Sequence, residues 1–305
     1  MDALTLDQVA VFLAVVEHGS FSAAARALSR AQSAVTYGVH KLEEQTGTAL
    51  FDRTQYRPVL TEAGRALLPQ ARRVMEAVGS FRMQARGIAG GLEPEVGLAV
   101  TSFFPMPILA EALHAFHTRY PSVPTRIYVE SLGGVPRLVE TEVCSLGVAI
   151  ARSATSEFIH RVPLVDVELV MVAAPEHPLA HLPGRLTPEV LREHVQLVLT
   201  DRSGPSGTRD FGVFGAHTWR LADLSAKHAL LKAGLGFGGM PLHLVRDDLR
   251  DGTLVRLELT EWEGSDRRPS APICLIYRTD KPLGPAANWM VGHLVEITHR
   301  HLPPA

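Results

Sequence analysis

The sequence predicts an α/β protein that consists of a helical N-terminal part and a larger part in which strands and helices alternate. With 305 residues, the chain is long enough for about two domains. Apolar residues recur at helical spacing through the first ninety positions. After Pro94, short apolar runs alternate with helical segments, which is typical of parallel sheets covered by helices.

The composition is that of a globular protein, because 46% of the residues are hydrophobic and 20% are charged. No run approaches the roughly 18 apolar residues of a membrane helix, and the first residues lack a secretory pattern, so we expect a cytoplasmic protein without a membrane partner. Cys144 and Cys274 form no C-x-x-C motif and are expected to be buried thiols. Residues 1–90 carry ten Lys and Arg against eight Asp and Glu, which only hints at a nucleic-acid partner.

Three helices are predicted in the first fifty residues. The first is indicated by apolar residues at positions i, i+3, i+4 and i+7, namely Val9, Phe12, Leu13 and Val16. Ser20 is placed to cap a second helix, whose run of alanines allows a close neighbour. A third helix is predicted from about Gln32 to Gln45 and is closed by Gly47.

The third helix separates its residues by face. Val35, Val39 and Leu42 share one side. The opposite side is polar and carries no acid, as base edges and phosphates require of a helix in the major groove: Gln32, Ser33, Thr36, Tyr37 and His40. This helix alone fits an ordinary solvated face equally well. Two helices joined by a short turn form a helix-turn-helix, and that context favours DNA reading.

A two-stranded wing is predicted after the third helix. Short apolar segments at residues 49–51 and 59–60 flank a polar stretch, from which Arg53 and Arg57 are expected to reach phosphates or the minor groove.

A long helix is predicted after Thr61, its N-terminal cap. Pro69 lies eight residues further on, so we expect a bend or a later start of the helix. The glycine-rich residues 87–91 are expected to form a hinge. A heptad seam indicates a partner helix from a second subunit; it consists of Leu67, Ala71, Val74, Val78, Phe81, Ala85 and Ile88.

The segments "FSAAARALSRAQSAVTYGVHKLEEQTGTALFDR" and "LTEAGRALLPQARRV" resemble the DNA-binding end of LysR-type transcriptional regulators. The resemblance implies a winged helix-turn-helix that dimerises through the long helix. Tyr37 departs from the arginine or glutamine of many members, which bears on the DNA sequence that is read. The residues predicted to bind DNA are Ser22, Arg30, Gln32, Ser33, Thr36, Tyr37, His40, Arg53 and Arg57.

The second part is predicted to contain two small parallel sheets with a cleft between them, a natural ligand site. Strands are predicted at residues 96–100, 125–129, 146–150, 168–173, 196–200, 219–222, 254–259 and 273–277. Helices are predicted at residues 105–119, 135–142, 188–194, 223–233 and 285–300.

The segments "FHTRYPSV", "LVMVAAPEHPLA" and "KAGLGFGGMP" resemble the effector domain of the same family, which is similar to periplasmic binding proteins. Gly147 stands where the family usually has an acidic residue, and we interpret this as the loss of a structural contact. The predicted domains are residues 1–60 for DNA binding, 61–91 for the linker helix and hinge, and 92–305 for the effector. Within the last, lobe I is about 92–163 and 267–305, and lobe II is about 164–266.

Effector contacts are predicted where strands end. Thr101, Ser102 and Phe103 follow the first strand and open onto a helix N-terminus, which Thr101 and Ser102 are also expected to cap. Residues 236–240 are predicted to form a loop rich in small residues. The complete effector set is Thr101, Ser102, Phe103, Ser131, Thr200, Arg202, Phe237, Gly238 and Met240. No catalytic residue, metal site or cofactor is expected, because the histidines show no ligand spacing and the glycine-rich loop follows a helix.

Together these patterns predict a transcription regulator, not an enzyme. Its partners would be double-stranded DNA with approximate dyad symmetry, a second copy in a homodimer or homotetramer, and a small organic acid or aromatic effector; RNA polymerase is a further possible partner. An alternative is a ligand-binding protein or enzyme whose front helices serve only for assembly, but this does not explain the acid-free face of the third helix. The sequence leaves open the effector, the target genes, and activation or repression.

Overall fold

The computed structural model describes residues 4–52, 57–201, 212–262 and 269–302. The chain divides into two compact units, Met1–Ala89 and Gly90–Ala305. Each unit has a hydrophobic core of its own.

The first unit contains four helices and a two-stranded hairpin among its described residues. They are α1 (Leu6–His18), α2 (Phe21–Ala27), α3 (Gln32–Thr46), β1 (Phe51–Asp52), β2 (Val59–Leu60) and α4 (Glu62–Ala89).

Side-chain caps set where the first two helices begin. The Thr5 hydroxyl accepts a hydrogen bond from the Gln8 amide, and the Gln8 side chain accepts one from the Thr5 amide, so both residues form a capping box at α1. Ser20 accepts from the Ala23 amide at 3.1 Å and caps α2, as predicted. Gly19 and Gly47 close α1 and α3 with positive φ values of 68° and 69°, a backbone region that glycine enters without strain.

The core of the first unit confirms the predicted faces of α3. Val35 and Val39 are fully buried and Leu42 is 4% exposed. They pack with Phe12 of α1 and Ala24 of α2, where the small alanine side chain lets the helices approach closely. The packing therefore decides which side of α3 faces the solvent.

The hairpin and α4 follow where the sequence predicts them. β1 and β2 pair antiparallel, with Phe51 opposite Leu60. The Thr61 hydroxyl accepts from the Gly64 amide at 2.9 Å, and α4 runs unbroken through Pro69 for 28 residues. The expected later start is therefore wrong. Pro69 is exposed and has no N–H to donate to the Arg65 carbonyl, so the helix continues without that one hydrogen bond.

The second unit contains nine strands and six α-helices among its described residues. The strands are β3 (Val96–Thr101), β4 (Thr125–Glu130), β5 (Leu146–Ile150), β6 (Ile159–Ala173), β7 (Val195–Leu199), β8 (His217–Leu221), β9 (Phe237–Pro241), β10 (Val255–Leu257) and β11 (Ser270–Arg278). The helices are α5 (Met106–Arg119), α6 (Gly134–Glu140), α7 (Pro188–Arg192), α8 (Leu224–Lys232), α9 (Leu242–Asp251) and α10 (Pro285–His301).

The strands form one path in the order β4-β3-β5-β11-β6-β9-β7-β8, with β10 paired to β6. The prediction of parallel strands is right at the two ends, where β3 pairs with β4 and β5, and β7 pairs with β8 and β9. It is wrong in the middle, where β6 and β11 are antiparallel to their neighbours. The predicted lobe boundary at residues 163 and 164 falls within β6, so this 15-residue strand belongs to both halves.

The predicted loop at residues 236–240 is also wrong. Residues 237–241 form β9, and α9, which the sequence pattern did not predict, follows directly. Glycine is needed here because a side chain on Gly238 would collide with the Leu197 carbonyl and the Lys227 side chain. The small residues therefore indicate close packing of a strand. Gly147 is similar, since its would-be side chain would meet Ile276 and Val135.

Substitutions of two glycines in α4 test whether this helix packs closely on the backbone at Leu50. A side chain on Gly64 would collide with the Leu50 carbonyl, whereas one on Gly79 would meet nothing within 4 Å. We expect Gly64→Ala to lower the free energy of unfolding by ~1–3 kcal/mol, since the crowded backbone has to move. Gly79→Ala is expected to raise it by ~0.5–1 kcal/mol, because alanine favours the helix. Urea unfolding measures both, and equal effects would contradict the packing of α4 on Leu50.

Candidate functional site

The outward side of α3 is a polar surface free of carboxylates over its first three turns. Gln32, Ser33, Tyr37 and His40 are exposed, Tyr37 to 61%, and Thr36 is half-buried. The structure therefore brings five of the predicted DNA-binding residues together on one surface, called here the α3 surface: Gln32, Ser33, Thr36, Tyr37 and His40.

The acids at the end of α3 point elsewhere or are paired. The Glu43 carboxylate accepts from the backbone amides of Leu50 and Phe51, at 2.8 and 3.2 Å, and so ties the helix to the hairpin. Glu44 pairs with Lys41 at 2.8 Å and with His40 at 3.2 Å, and the hydrogen bond from Lys41 lowers the pKa of Glu44. The α3 surface is thus able to approach phosphates without strong repulsion.

The other predicted DNA-binding residues lie around this surface or outside the described residues. Arg30 is exposed and forms a two-contact ion pair with Asp7, at 2.7 Å, which lowers the pKa of that carboxyl group. Ser22 is half-buried, with its hydroxyl 3.4 Å from the Ser20 hydroxyl. Arg57 is exposed next to β2, and Arg53 lies outside the described residues.

The heptad seam of α4 divides into two portions. Leu67 and Ala71 pack on the core of the first unit. Val74, Phe81 and Ile88 are 40%, 72% and 46% exposed, so they leave an apolar stripe along the helix, called here the α4 stripe. A stripe of this kind is covered by a partner in coiled coils.

A cavity of about 440 Å³ opens in the second unit where β3, β4 and β7 end. Three of the predicted effector residues line it, namely Ser102, Ser131 and Thr200. The Ser131 hydroxyl lies 3.4 Å from the Ser102 hydroxyl and donates to the Ala222 carbonyl at 3.1 Å, which connects the two halves of the sheet.

Among the described residues that line this cavity, the charged ones are mainly acidic. They are Glu130, Asp201 and Asp223, with Arg137 as the one described cation. Asp223 caps α8 by accepting from the Ala226 amide at 2.6 Å. Asp201 accepts from the Gly133 amide at 3.1 Å. The sequence reasoning missed all four residues, although each lies at or beside a predicted strand or helix end.

The residues after β3 do not cap the next helix as expected. The N-cap of α5 is Pro105, which has no side-chain hydrogen bond to offer. Thr101 is fully buried, and its hydroxyl accepts from the Phe103 amide at 3.4 Å. The chain turns for four residues before α5 begins, so Thr101 and Ser102 are too far from its first turn.

A second cavity, of about 60 Å³, is lined by Phe103, Leu132 and Leu199, which are the chain neighbours of three residues that line the first. Phe103, a predicted effector residue, lines it together with Trp262 and Lys227. Lys227 is 5% exposed and donates one hydrogen bond to the Gly239 carbonyl at 2.7 Å. Burial lowers the pKa of Lys227 to about 7. The sequence analysis missed Lys227, although it shares the buried stripe of α8 with Leu224 and Leu231.

The remaining predicted effector residues do not belong to the described lining of either cavity. Phe237 and Met240 are core side chains of β9, 0% and 1% exposed. Gly238 is in contact distance of Lys227 and makes room for it. Arg202 lies outside the described residues.

Both cysteines are buried and unpaired, as predicted, and burial raises the pKa of Cys144 to about 11. Within the described ranges, no three His, Cys, Asp or Glu side chains are grouped to hold a metal ion. In the same part of the chain no single helix is long and apolar enough to cross a membrane; only α1 and α2 together meet those criteria, and the pair is bent by 114°.

A winged helix-turn-helix unit followed by an α/β unit with internal cavities defines a class of DNA-binding regulators that carry a ligand domain. Residues 6–65 match the family described as bacterial regulatory helix-turn-helix protein, lysR family, and residues 89–298 match the LysR substrate binding domain. The chain belongs to the LysR family of transcriptional regulators, which confirms the resemblance.

Relatives with known names agree with this assignment. The chain is 28% identical over 299 residues to the probable HTH-type transcriptional regulator YhaJ of Escherichia coli K12, covering 97% of each. It is 28% identical over 292 residues to the HTH-type transcriptional regulator PunR of the same organism, covering 92% of this chain and 89% of that one. Both names describe transcriptional regulators.

Two solved structures share the fold. An OxyR mutant from Corynebacterium glutamicum superposes with a TM-score of 0.53, at 23% identity, over 98% of this chain and 94% of that one. CrgA, a LysR-type transcriptional regulator from Neisseria meningitidis, superposes with a TM-score of 0.52, at 22% identity, over 96% and 98%.

The buried lysine should make the stability of the second unit depend on pH. Folding lowers the pKa of Lys227 from 10.5 to about 7, so between these values the unfolded chain binds the proton more tightly. The buried Lys227 therefore lowers the free energy of unfolding most below pH ~7, and this penalty diminishes as the pH rises towards 10.5. Lys227→Met is expected to raise the melting temperature at pH 7 by about 2–4 °C for each kcal/mol of penalty removed, and to flatten this pH dependence.

Scanning calorimetry of the full chain between pH 6.5 and 9.5 measures the effect. The matched control is Lys232→Met on the same helix, whose side chain is 43% exposed and pairs with Asp248 at 2.6 Å. The control is expected to lower the melting temperature slightly or leave it unchanged. If the Lys227→Met protein melts at a lower temperature than the wild type at pH 7, the claim that the buried amine of Lys227 destabilises the fold is wrong.

Proposed function

We propose that this LysR-type regulator binds double-stranded DNA through the α3 surface, as a homodimer or homotetramer, in the cytoplasm. Its binding of DNA would be modulated by a small organic acid or aromatic effector held between the two halves of the second unit. The observation that carries the DNA-binding role is the polar, acid-free and exposed α3 surface, backed by a fully buried apolar side.

DNA contacts are supported by the chemistry of the α3 surface. Gln32 has an amide that is able to bond an adenine edge, and the hydroxyls of Ser33 and Thr36 donate or accept as needed. Arg57, which is exposed next to β2, and Arg53, which follows β1 in the sequence, would contact phosphates, and the affinity would then depend on salt concentration. A binding site with approximate dyad symmetry follows if two copies bind together.

Self-association is supported by the α4 stripe. Burying Phe81 and its neighbours against a second α4 removes apolar surface from water, at about 25 cal/mol for each Å². An exposed stripe at heptad spacing on a 28-residue helix is typical of a coiled-coil seam.

Effector control is supported by the two cavities at the strand ends. Ser102 and Thr200 line the larger cavity, and Phe103 and Leu199 line the smaller one, so each cavity is lined from both halves of the sheet. A ligand in either cavity would favour one relative position of the halves. A ligand shifts such an equilibrium only by its difference in affinity for the two positions.

A carboxylate placed on the α3 surface tests the DNA-binding role. Ser33→Glu puts a negative charge at an exposed position of α3, and we expect the affinity for DNA from upstream of the protein's own coding sequence to fall at least tenfold at 100 mM salt. Ser80→Glu adds the same charge at an exposed position of α4 and is expected to leave the affinity unchanged. Fluorescence anisotropy with a labelled duplex measures both.

The wild-type affinity should also fall as salt rises, since counterions are released from the phosphates. A protein whose front helices serve only for assembly would bind none of these duplexes at low salt. That result, or equal affinities of the two glutamate variants, would refute the DNA-binding role.

A charge in the α4 stripe tests self-association. Phe81→Asp is expected to shift the protein to a smaller species at micromolar concentration, because a carboxylate would be buried in an apolar seam. Ser80→Asp, one residue away and off the seam, should leave the mass unchanged. Sedimentation velocity reports the mass directly, and an unchanged species for Phe81→Asp would show that the α4 stripe is not the interface.

A further inference from the structure

The smaller cavity contains a buried amine, Lys227, that has no counter-charge among the described residues. An ammonium group has three N–H donors, yet Lys227 donates only one hydrogen bond, to the Gly239 carbonyl. No carboxylate of the described residues pairs with it. A buried charge is costly unless it is paired, so the described part of the site lacks the negative group that would stabilise the charged form of Lys227.

The two cavities differ in the charge of their described linings. Glu130, Asp201 and Asp223 make the larger cavity acidic. The smaller one has Arg152 and Lys227 as its only ionisable residues in the described lining, and both are basic. A ligand carboxylate would be repelled by the first set and attracted by the second.

The size of the smaller cavity limits what enters it. At about 60 Å³ it holds about four to six water-sized groups, if each needs roughly 10–15 Å³. Acetate and propionate have four and five non-hydrogen atoms and are of this size. Phe103, Leu132 and Trp262 provide an apolar wall for the short carbon chain.

We propose that the smaller cavity binds a short-chain monocarboxylate, of the size of acetate or propionate, whose ionised carboxyl group pairs with Lys227. The proposal deepens the proposed function and rests on it, since it assigns the acidic group of the effector to one cavity and excludes the larger, acidic one. Arg152, which lines the same cavity and is itself exposed, adds positive charge on the side of β5.

Binding of the anion would involve proton uptake. Burial lowers the pKa of Lys227 to about 7 in the free protein, and a carboxylate in contact would raise it again. The affinity for the anion therefore falls as the pH rises above 7, by up to tenfold for each pH unit, because the neutral amine has to be charged first.

The ionisable groups on the elements around α8 are few. β7 and β9 carry none, and β8 carries His217 and Arg220. On α8 itself, His228 and Lys232 pair with Asp248 of α9. The ionisable residues of β6 are His160, Arg161, Asp166 and Glu168. None of these belongs to the described lining of the smaller cavity.

The experiment is isothermal titration calorimetry of the full-length protein with sodium propionate and, as the neutral match, propionamide. We expect propionate to bind the wild type at pH 6.5 and at least tenfold more weakly at pH 8.5. Lys227→Met should lose at least tenfold in affinity for propionate at pH 6.5, and Lys232→Met, on the same helix, should lose none. Propionamide should bind the wild type and Lys227→Met equally weakly.

Proton uptake is a second measurement, and it needs no variant. Propionate is titrated into the wild type in two buffers of different ionisation enthalpy, and the difference in the observed heat gives the number of protons taken up. Uptake of a proton at pH 8 supports the proposal. No binding of propionate or acetate to the wild type, unchanged affinity in Lys227→Met, or a loss in Arg137→Gln alone would overturn it. DNA binding of the same preparation is measured in parallel, so failure of the carboxylate site is distinguished from failure of the regulator.

Discussion

The packing of one side of α3 against α1 and α2 is the constraint on which the proposed DNA surface depends. Val35, Val39 and Leu42 are buried there, and each contributes roughly 1.5–3 kcal/mol relative to an exposed side chain. Because a helix turns by about 100° per residue, burying these three fixes the opposite side as the one that faces the solvent. The packing of the core thus fixes the rotation of α3 about its own axis, and with it the side that would contact bases.

A second constraint acts in the α/β unit. Consecutive residues at the end of a strand line different cavities. Ser102 lines the larger cavity and Phe103 the smaller one, and Thr200 and Leu199 divide in the same way. In this way adjacent residues of the chain separate a cavity whose described lining is mainly acidic among its charged groups from one whose described lining is mainly apolar and whose ionisable groups are basic. Gly238 keeps the space that the lysine side chain occupies.

Local patterns predicted the first unit well, because its helices, caps and buried faces depend on residues close together in sequence. The long-range features were harder to predict. The antiparallel course of β6 and β11 depends on pairing across more than a hundred residues, and glycines that pack closely resemble a loop, as at Gly238. Ser102 and Ser131 were found as strand-end residues, but Lys227 was missed, because one lysine in an apolar stripe shows its burial only once β9 lies over it.

Site-specific photocrosslinking tests the central claim, that the α3 surface reads DNA, most directly. A benzophenone amino acid replaces either Tyr37 on α3 or Phe158, a side chain of the second unit that is 53% exposed. With a duplex from upstream of the protein's own coding sequence, position 37 is expected to crosslink to bases at one segment of each half-site, and position 158 is not. Equal yields from both positions, or crosslinks to DNA only from the second unit, would contradict it.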